Sequence, residues 1–177
     1  GVVVNTTPLT VPNPQVSILT SLGSIVLELD PAAVPITVNN FLSYANSGFY
    51  SNTLFHRVMS GFVIQGGGYT TGMVKKTEQS ASIELESNKG LSNVRGSLAM
   101  ARTYLPNSAT SEFYINLVDN LSLDYQNAAN PGYAVFGKVV KGIEVANAIA
   151  AEPTGLVGGF SDVPLVEVTL SLALQTK

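Results

Sequence analysis

The chain has 177 residues, 45% hydrophobic and only 12% charged, with a formal net charge of −3 and a sequence pI near 5.0. That length suits one domain with a real core, and the apolar share excludes a disordered chain. The acidic balance argues against a nucleic-acid surface, which needs a basic footprint, and the absence of cysteine excludes disulfides and thiol chemistry. No apolar run reaches the ~18 residues of a membrane span.

Residues 1–15 carry Pro8, Pro12 and Pro14 among threonines and asparagines and read as an extended arm leading into a single domain over 16–177. Val16 to Leu19 reads as a first strand, and Ser21 to Ser24 as a turn. Ser24 to Asp30 alternates, with Ile25, Leu27 and Leu29 on one face. Pro35 suits the first turn of a helix, and Val38, Phe41, Leu42 and Ala45 then form one apolar stripe up to Gly48. Thr53 to Val58 and Phe62 to Gln65 read as short strands broken near Gly61. A long stretch of weak periodicity runs from Gly66 to Gly96, and a loop that long in a compact domain is usually functional or mobile.

Alternation returns at Ser97 to Ala101 and at Glu112 to Leu117, separated by a polar loop. Asp119 to Gly132 is irregular and rich in Asn, and Tyr133 to Val140 is a strand. Lys141 to Ala150 reads as a second helix that Pro153 stops, and Gly155 to Asp162 as a flexible loop. Val163 to Leu174 gives the longest alternation, with Val166, Val168, Leu170, Leu172 and Leu174 facing one way. About eight short strands and two helices point to a mainly β fold, a closed antiparallel barrel capped by the helices.

Most polar residues admit a plain structural role. His56 is the one histidine, so a transition-metal site would need carboxylates around it, and a histidine in the core or backing other side chains is the simpler reading. Gly66-Gly67-Gly68 lacks the Lys and the helix of a phosphate loop, and suits close backbone packing or a bend. Glu84 and Glu86 share a strand face and read as a solvated edge. Arg57 stands apart. A pairing with a surface carboxylate is the plain alternative, but Phe62, Val63 and Gln65 follow within a few residues, and Glu112 and Tyr114 share a face on another strand. Alternation alone cannot put Phe62 and Val63 on one side, so a bend at Gly61 is required. A guanidinium beside such an apolar hollow suits something small, apolar and amide-like.

These residues lie in four blocks that resemble the cyclophilin-type peptidyl-prolyl isomerases. The blocks are Phe55-His56-Arg57-Val58 through Gly61-Phe62-Val63-Ile64-Gln65-Gly66-Gly67, then Arg95 to Arg102, then Asn107 to Ile115, then Tyr133 to Val139. Their order and spacing match, and the resemblance covers about Val16 to Leu174. It implies an eight-stranded antiparallel barrel with a helix at each end. It also implies non-covalent catalysis of X–Pro rotation in protein folding, with no metal or cofactor. By the same resemblance the catalytic positions are Arg57, Phe62 and Gln65, with Arg57 the catalytic arginine, and Glu112 counts among the substrate-binding positions. The proline pocket falls on Phe62, Val63, Tyr114, Leu123 and Tyr133, further lining positions on Gln65 and Ala101, and a backbone contact on Arg102.

Three positions depart from the family pattern. Glu112 stands where a glutamine is usual; if it reaches Arg57 the two form an ion pair that weakens the cation's field, and Glu112→Gln is then neutral or faster. Ser122 stands where relatives carry Trp or Phe, which predicts weak cyclosporin binding. Tyr114 replaces a usual phenylalanine and brings a hydroxyl that needs a partner. The alternative function is a low-turnover chaperone or adaptor that binds proline-containing peptides on the same fold. The motif wording is similar to bacterial members. With the missing cysteine and the start at Gly1 it sets the expectation of a periplasmic monomer acting on proline-containing polypeptides of exported proteins.

Overall fold

The structure is a computed structural model and describes residues 11–177. Two-thirds of the arm read over 1–15 therefore lies outside the described residues; its end does not stay free, since Gln15 already pairs with Glu28 in the sheet. In chain order come β1 (Gln15–Thr20), β2 (Gly23–Leu29), α1 (Pro35–Asn46), β3 (Thr53–Leu54), β4 (Arg57–Met59), β5 (Val63–Gly66), β6 (Tyr69–Thr70) and β7 (Val74–Lys75). Then follow β8 (Ser97–Met100), β9 (Phe113–Asn116), a single 3-10 turn at Leu121–Leu123, β10 (Val135–Lys141), α2 (Ile143–Ala150), β11 (Thr154–Val157), β12 (Phe160–Pro164) and β13 (Thr169–Gln175).

Nine strands form one antiparallel sheet in the order β3-β13-β1-β2-β10-β8-β9-β5-β4. Its two edge strands are consecutive in the chain, joined only through Phe55 and His56. The sheet is thus curled into a barrel whose last step is made by the chain itself instead of by a ladder, and the stretch Thr53 to Met59 serves as one strand shared by both edges. That reconciles nine assigned strands with the eight expected. Inside lie Val16, Ile18, Ile25, Leu27, Val58, Ile64, Leu98 and Ile115, all buried, together with the ring cluster of Phe41, Tyr50, Phe55, Phe113 and Phe136. α1 packs on β13 and α2 on β2, β4 and β5. The apolar stripe of α1 reaches this core through Val38, Phe41 and Ala45, and α2 adds Ala146 and Ile149.

Three expectations from periodicity need correction. The segment Gly155 to Asp162 is not a loop: β11 and β12 form a hairpin there, with Thr154 opposite Pro164. Val163 to Leu174 is not one strand, because the ladder stops at Pro164 and resumes at Thr169. Its single apolar face also fails. Leu19 faces Leu172 while Thr20 faces Leu170, so Ser171 is skipped, and beyond this bulge Ala173 turns inward while Leu172 and Leu174 face out. Val166 is exposed in the gap between the strands. Finally, Glu86 is not a solvated edge residue. It is 6% exposed, and its carboxylate accepts bonds from Thr37 N at 2.8 Å, Thr37 Oγ1 at 2.7 Å and Ile36 N at 3.4 Å. α1 has neither a side-chain cap of its own nor an acid in its first turn. Glu86 brings both the acceptor and the charge across the fold to satisfy its free N–H groups. Glu84 is exposed, as expected.

No helix among the described residues is long and apolar enough to cross a membrane. The stretch from Gly66 to Gly96, read as aperiodic, holds the small hairpin of β6 and β7.

Candidate active site

The sheet register assembles the site on the outer face of the barrel wall. Arg57 pairs with Gln65, Gln65 with Tyr114, Tyr114 with Ala99 and Ala99 with Val135, so one row crosses β4, β5, β9, β8 and β10. Side chains alternate along a strand, so this row points away from the core row of Val58, Ile64, Ile115 and Leu98. Val63, two residues before Gln65, lies on the same face. Gly61 adopts φ +73°, and Phe62 N donates to Met59 O at 3.0 Å. That turn lets Phe62 join Val63 on one side, which regular alternation forbids.

Val63, Ala99, Tyr114 and Val135 are buried as a second apolar cluster, with Phe62, Leu91, Ala101, Leu123 and Tyr133 packed on it. Above it opens a cavity of about 390 Å³ lined by Arg57, Phe62, Val63, Gln65, Ala101, Arg102, Tyr114, Leu123 and Tyr133. Nine of the ten side chains singled out from the sequence thus surround one hollow. Glu112 is the tenth, and it lines a neighbouring polar cavity with Lys75, Gln79 and Thr110 that shares Gln65, Ala101 and Arg102.

The expected contact between Glu112 and Arg57 is not made. Gln65 stands between them: Arg57 NH1 donates to Gln65 Oε1 at 3.3 Å, and Gln65 Nε2 donates to Glu112 Oε1 at 3.1 Å. Glu112 meets His56 instead, whose Nε2 lies 3.0 Å from Oε1. Burial of Glu112 raises its carboxyl pKa. The hydrogen bond and charge of His56, with Gln65 and Lys75, outweigh that and hold it below the ordinary value. His56 is a buried histidine that backs a neighbouring side chain, in line with its structural reading. It is 6% exposed, lies against Tyr69 with ring centroids 4.6 Å apart, and its Nδ1 is buried without a partner. Among the described residues no group of three His, Cys, Asp or Glu side chains could hold a metal.

Arg102 is largely committed to the protein. Its Nε and NH2 donate to Gly132 O at 2.9 and 2.7 Å, NH1 donates to Thr103 O at 2.9 Å, and the guanidinium covers the Tyr133 ring at 4.6 Å. Three of its ~5 donors are thus used, and the effect is to brace Tyr133 as one pocket wall. The opposite wall is tied in as well, since Tyr133 N donates to Leu123 O at 2.9 Å. Gly132 makes this approach possible: a Cβ there would meet Leu123 O at 2.5 Å.

Residues missed by sequence reasoning lie beneath the pocket. The Tyr114 hydroxyl donates to Asn93 Oδ1 at 2.7 Å, which supplies the partner its burial demands. Burial, and then the charges of Tyr133 and Asp124, push the Tyr114 pKa far up, so it stays a neutral donor. Asn93, fully buried, donates through N and Nδ2 to Asp124 Oδ1 at 2.7 and 2.8 Å, and Ser92 Oγ also donates to Asp124. These donors overcome the partial burial of Asp124 and lower its pKa. Asn116 and Asn120 continue the network, and Asn120 Nδ2 donates to Phe62 O at 3.1 Å. The Asn-rich stretch from Asp119 pointed only to Asn120 and Asp124; Asn93 and Asn116 lie outside it.

The triple glycine is a packing element, as expected. A Cβ at Gly66 would fall 2.7 Å from Leu54 O, one at Gly67 2.8 Å from Tyr50 Cε1, and one at Gly68 2.6 Å from Glu112 Cγ.

The family model of the cyclophilin type peptidyl-prolyl cis-trans isomerases matches residues 15–172. The chain is 46% identical over 159 residues to peptidyl-prolyl cis-trans isomerase A of Dickeya dadantii, covering 90% of this chain and 83% of that protein. It is 46% identical to peptidyl-prolyl cis-trans isomerase B of Escherichia coli K12, covering 88% and 96%. A crystal structure of a Cryptosporidium parvum cyclophilin type isomerase superposes with a TM-score of 0.79 at 29% identity, covering 93% of this chain and 98% of that one. The same protein in the presence of the dipeptide Ala-Pro gives 0.77 at 30% identity, covering 92% and 99%. With nearly the whole domain matched in sequence and in fold, the chain belongs to the cyclophilin family and is a peptidyl-prolyl cis-trans isomerase.

Proposed function

We propose that Arg57 carries the chemistry and that the apolar hollow beside it grips the proline ring of an exposed X–Pro segment. The observation behind this reading is that the guanidinium and the Phe62, Val63, Tyr114, Leu123 and Tyr133 side chains line one cavity. Rotation about an X–Pro bond must lose amide resonance, within a general peptide barrier of ~18–20 kcal/mol. At the twisted geometry the proline nitrogen becomes pyramidal and gains a lone pair. A donor that meets this nitrogen binds the twisted form better than the planar one, which is the condition for catalysis. The ring is held while the acyl side turns, and no bond to the protein forms.

The Cryptosporidium relative crystallised with Ala-Pro supports a proline-containing peptide as the ligand class. The assay is exchange NMR or protease-coupled isomerisation of a proline tetrapeptide. Turnover far above the spontaneous rate supports catalysis; tight peptide binding without turnover supports the chaperone or adaptor reading. Ser122 sits exposed on the 3-10 turn and offers no aromatic rim. Calorimetry with cyclosporin is expected to give weak binding, and a tight complex would refute that role for the rim. We place the enzyme in the periplasm as a monomer acting on exported proteins, supported by the bacterial wording of its motifs and the lack of cysteine; fractionation of the native host checks it.

A further inference from the structure

We propose that Glu112 is a positioning residue that sets Arg57 through Gln65, without touching the cation or the substrate. The inference rests on Arg57 being the catalytic group. Three contacts run in series: His56 Nε2 to Glu112 Oε1 at 3.0 Å, Gln65 Nε2 to the same oxygen at 3.1 Å, and Arg57 NH1 to Gln65 Oε1 at 3.3 Å. An amide has one donating end and one accepting end. Arginine can only donate and an ionised carboxylate can only accept. Between these two neighbours the Gln65 amide has a single satisfied orientation, with its oxygen on Arg57. A neutral group at position 112 either donates and accepts or does neither, so it no longer imposes that direction.

The carboxylate is itself held. His56 fixes Oε1, and the Gly68 backbone packs so closely that a Cβ there would lie 2.6 Å from Glu112 Cγ and 2.7 Å from Cδ. The depressed Glu112 pKa agrees, since it keeps the group ionised and accepting at neutral pH. The arrangement also keeps the negative charge one residue away from Arg57. Among the described residues Arg57 forms no ion pair, so its positive field is not cancelled.

The test is a double-mutant cycle on the isomerisation of a proline tetrapeptide, reading kcat and KM separately. Glu112→Ala is expected to lower kcat about ten- to a hundredfold, the scale of a small misplacement of a reacting group, with KM little changed. In an Arg57→Ala background the same substitution should cost nothing further, because its effect passes through that side chain. A wild-type kcat in Glu112→Ala, or an undiminished extra loss in the Arg57→Ala background, overturns the proposal. Glu112→Gln, nearly isosteric, guards against a folding defect: kcat should drop several-fold at constant KM, and a kcat equal to or above wild type overturns it. Arg57→Ala alone tests the underlying reading, so the two failures are distinguishable.

Discussion

Arg57→Ala is expected to lower kcat/KM for a proline peptide about 100- to 1,000-fold, the usual loss when one preorganised transition-state donor is removed. At ~1.4 kcal/mol per tenfold, that is about 3–4 kcal/mol of lost transition-state stabilisation. The loss should fall on kcat. The apolar walls that hold the ring, Phe62, Val63, Leu123 and Tyr133, remain in place without the guanidinium. A mutation that removes a contact made only in the transition state lowers kcat with KM unchanged. Arg57→Lys should recover little, because a flexible point charge cannot keep both the Gln65 bond and an aimed donor. Equal rates for wild type and Arg57→Ala would remove the mechanism and leave peptide binding as the function of the pocket.

Phe113→Ala is expected to cost about 3–5 kcal/mol of stability, a large share of the roughly 5–15 kcal/mol typical of a domain. The Phe113 ring is fully buried and meets Phe41 at 5.4 Å, Tyr50 at 5.4 Å and Phe55 at 6.0 Å, each near edge-on. Helix α1, through Phe41, and the connecting segments at Tyr50 and Phe55 therefore lose packing at once, and the Gly67 backbone lies against the same ring, so little can close over the gap. Urea titration measures it, and a loss below about 1 kcal/mol would show that the cluster collapses freely, unlike the usual aromatic truncation. Because Phe113 and Tyr114 point to opposite faces of β9, activity per folded molecule should change far less than stability.

How far the sequence carried the reading differs from element to element. The alternation of Glu112 to Leu117 correctly separated the core residues Phe113 and Ile115 from Tyr114, and the stripe of α1 placed Phe41 inward. The residues around the cavity, all but Leu123, were reached through four motif blocks, because no local period says that Arg57 will pair with Gln65 and Gln65 with Tyr114. Where a long-range event interrupts the pattern, periodicity misled. The bulge that skips Ser171 turns Leu172 and Leu174 outward, and nothing local to β13 announces it. Glu86 looked like a surface acid because its purpose, the bare end of α1, is 49 residues away. The link from His56 to Glu112 was hidden for the same reason, which is why an Arg57–Glu112 pair was expected in its place.

Thr53 to Met59 closes the seam of the barrel and, at Arg57, also delivers the guanidinium. Fraying of the β4–β5 ladder, in which Arg57 faces Gln65, would disturb the wall and the cavity lining together.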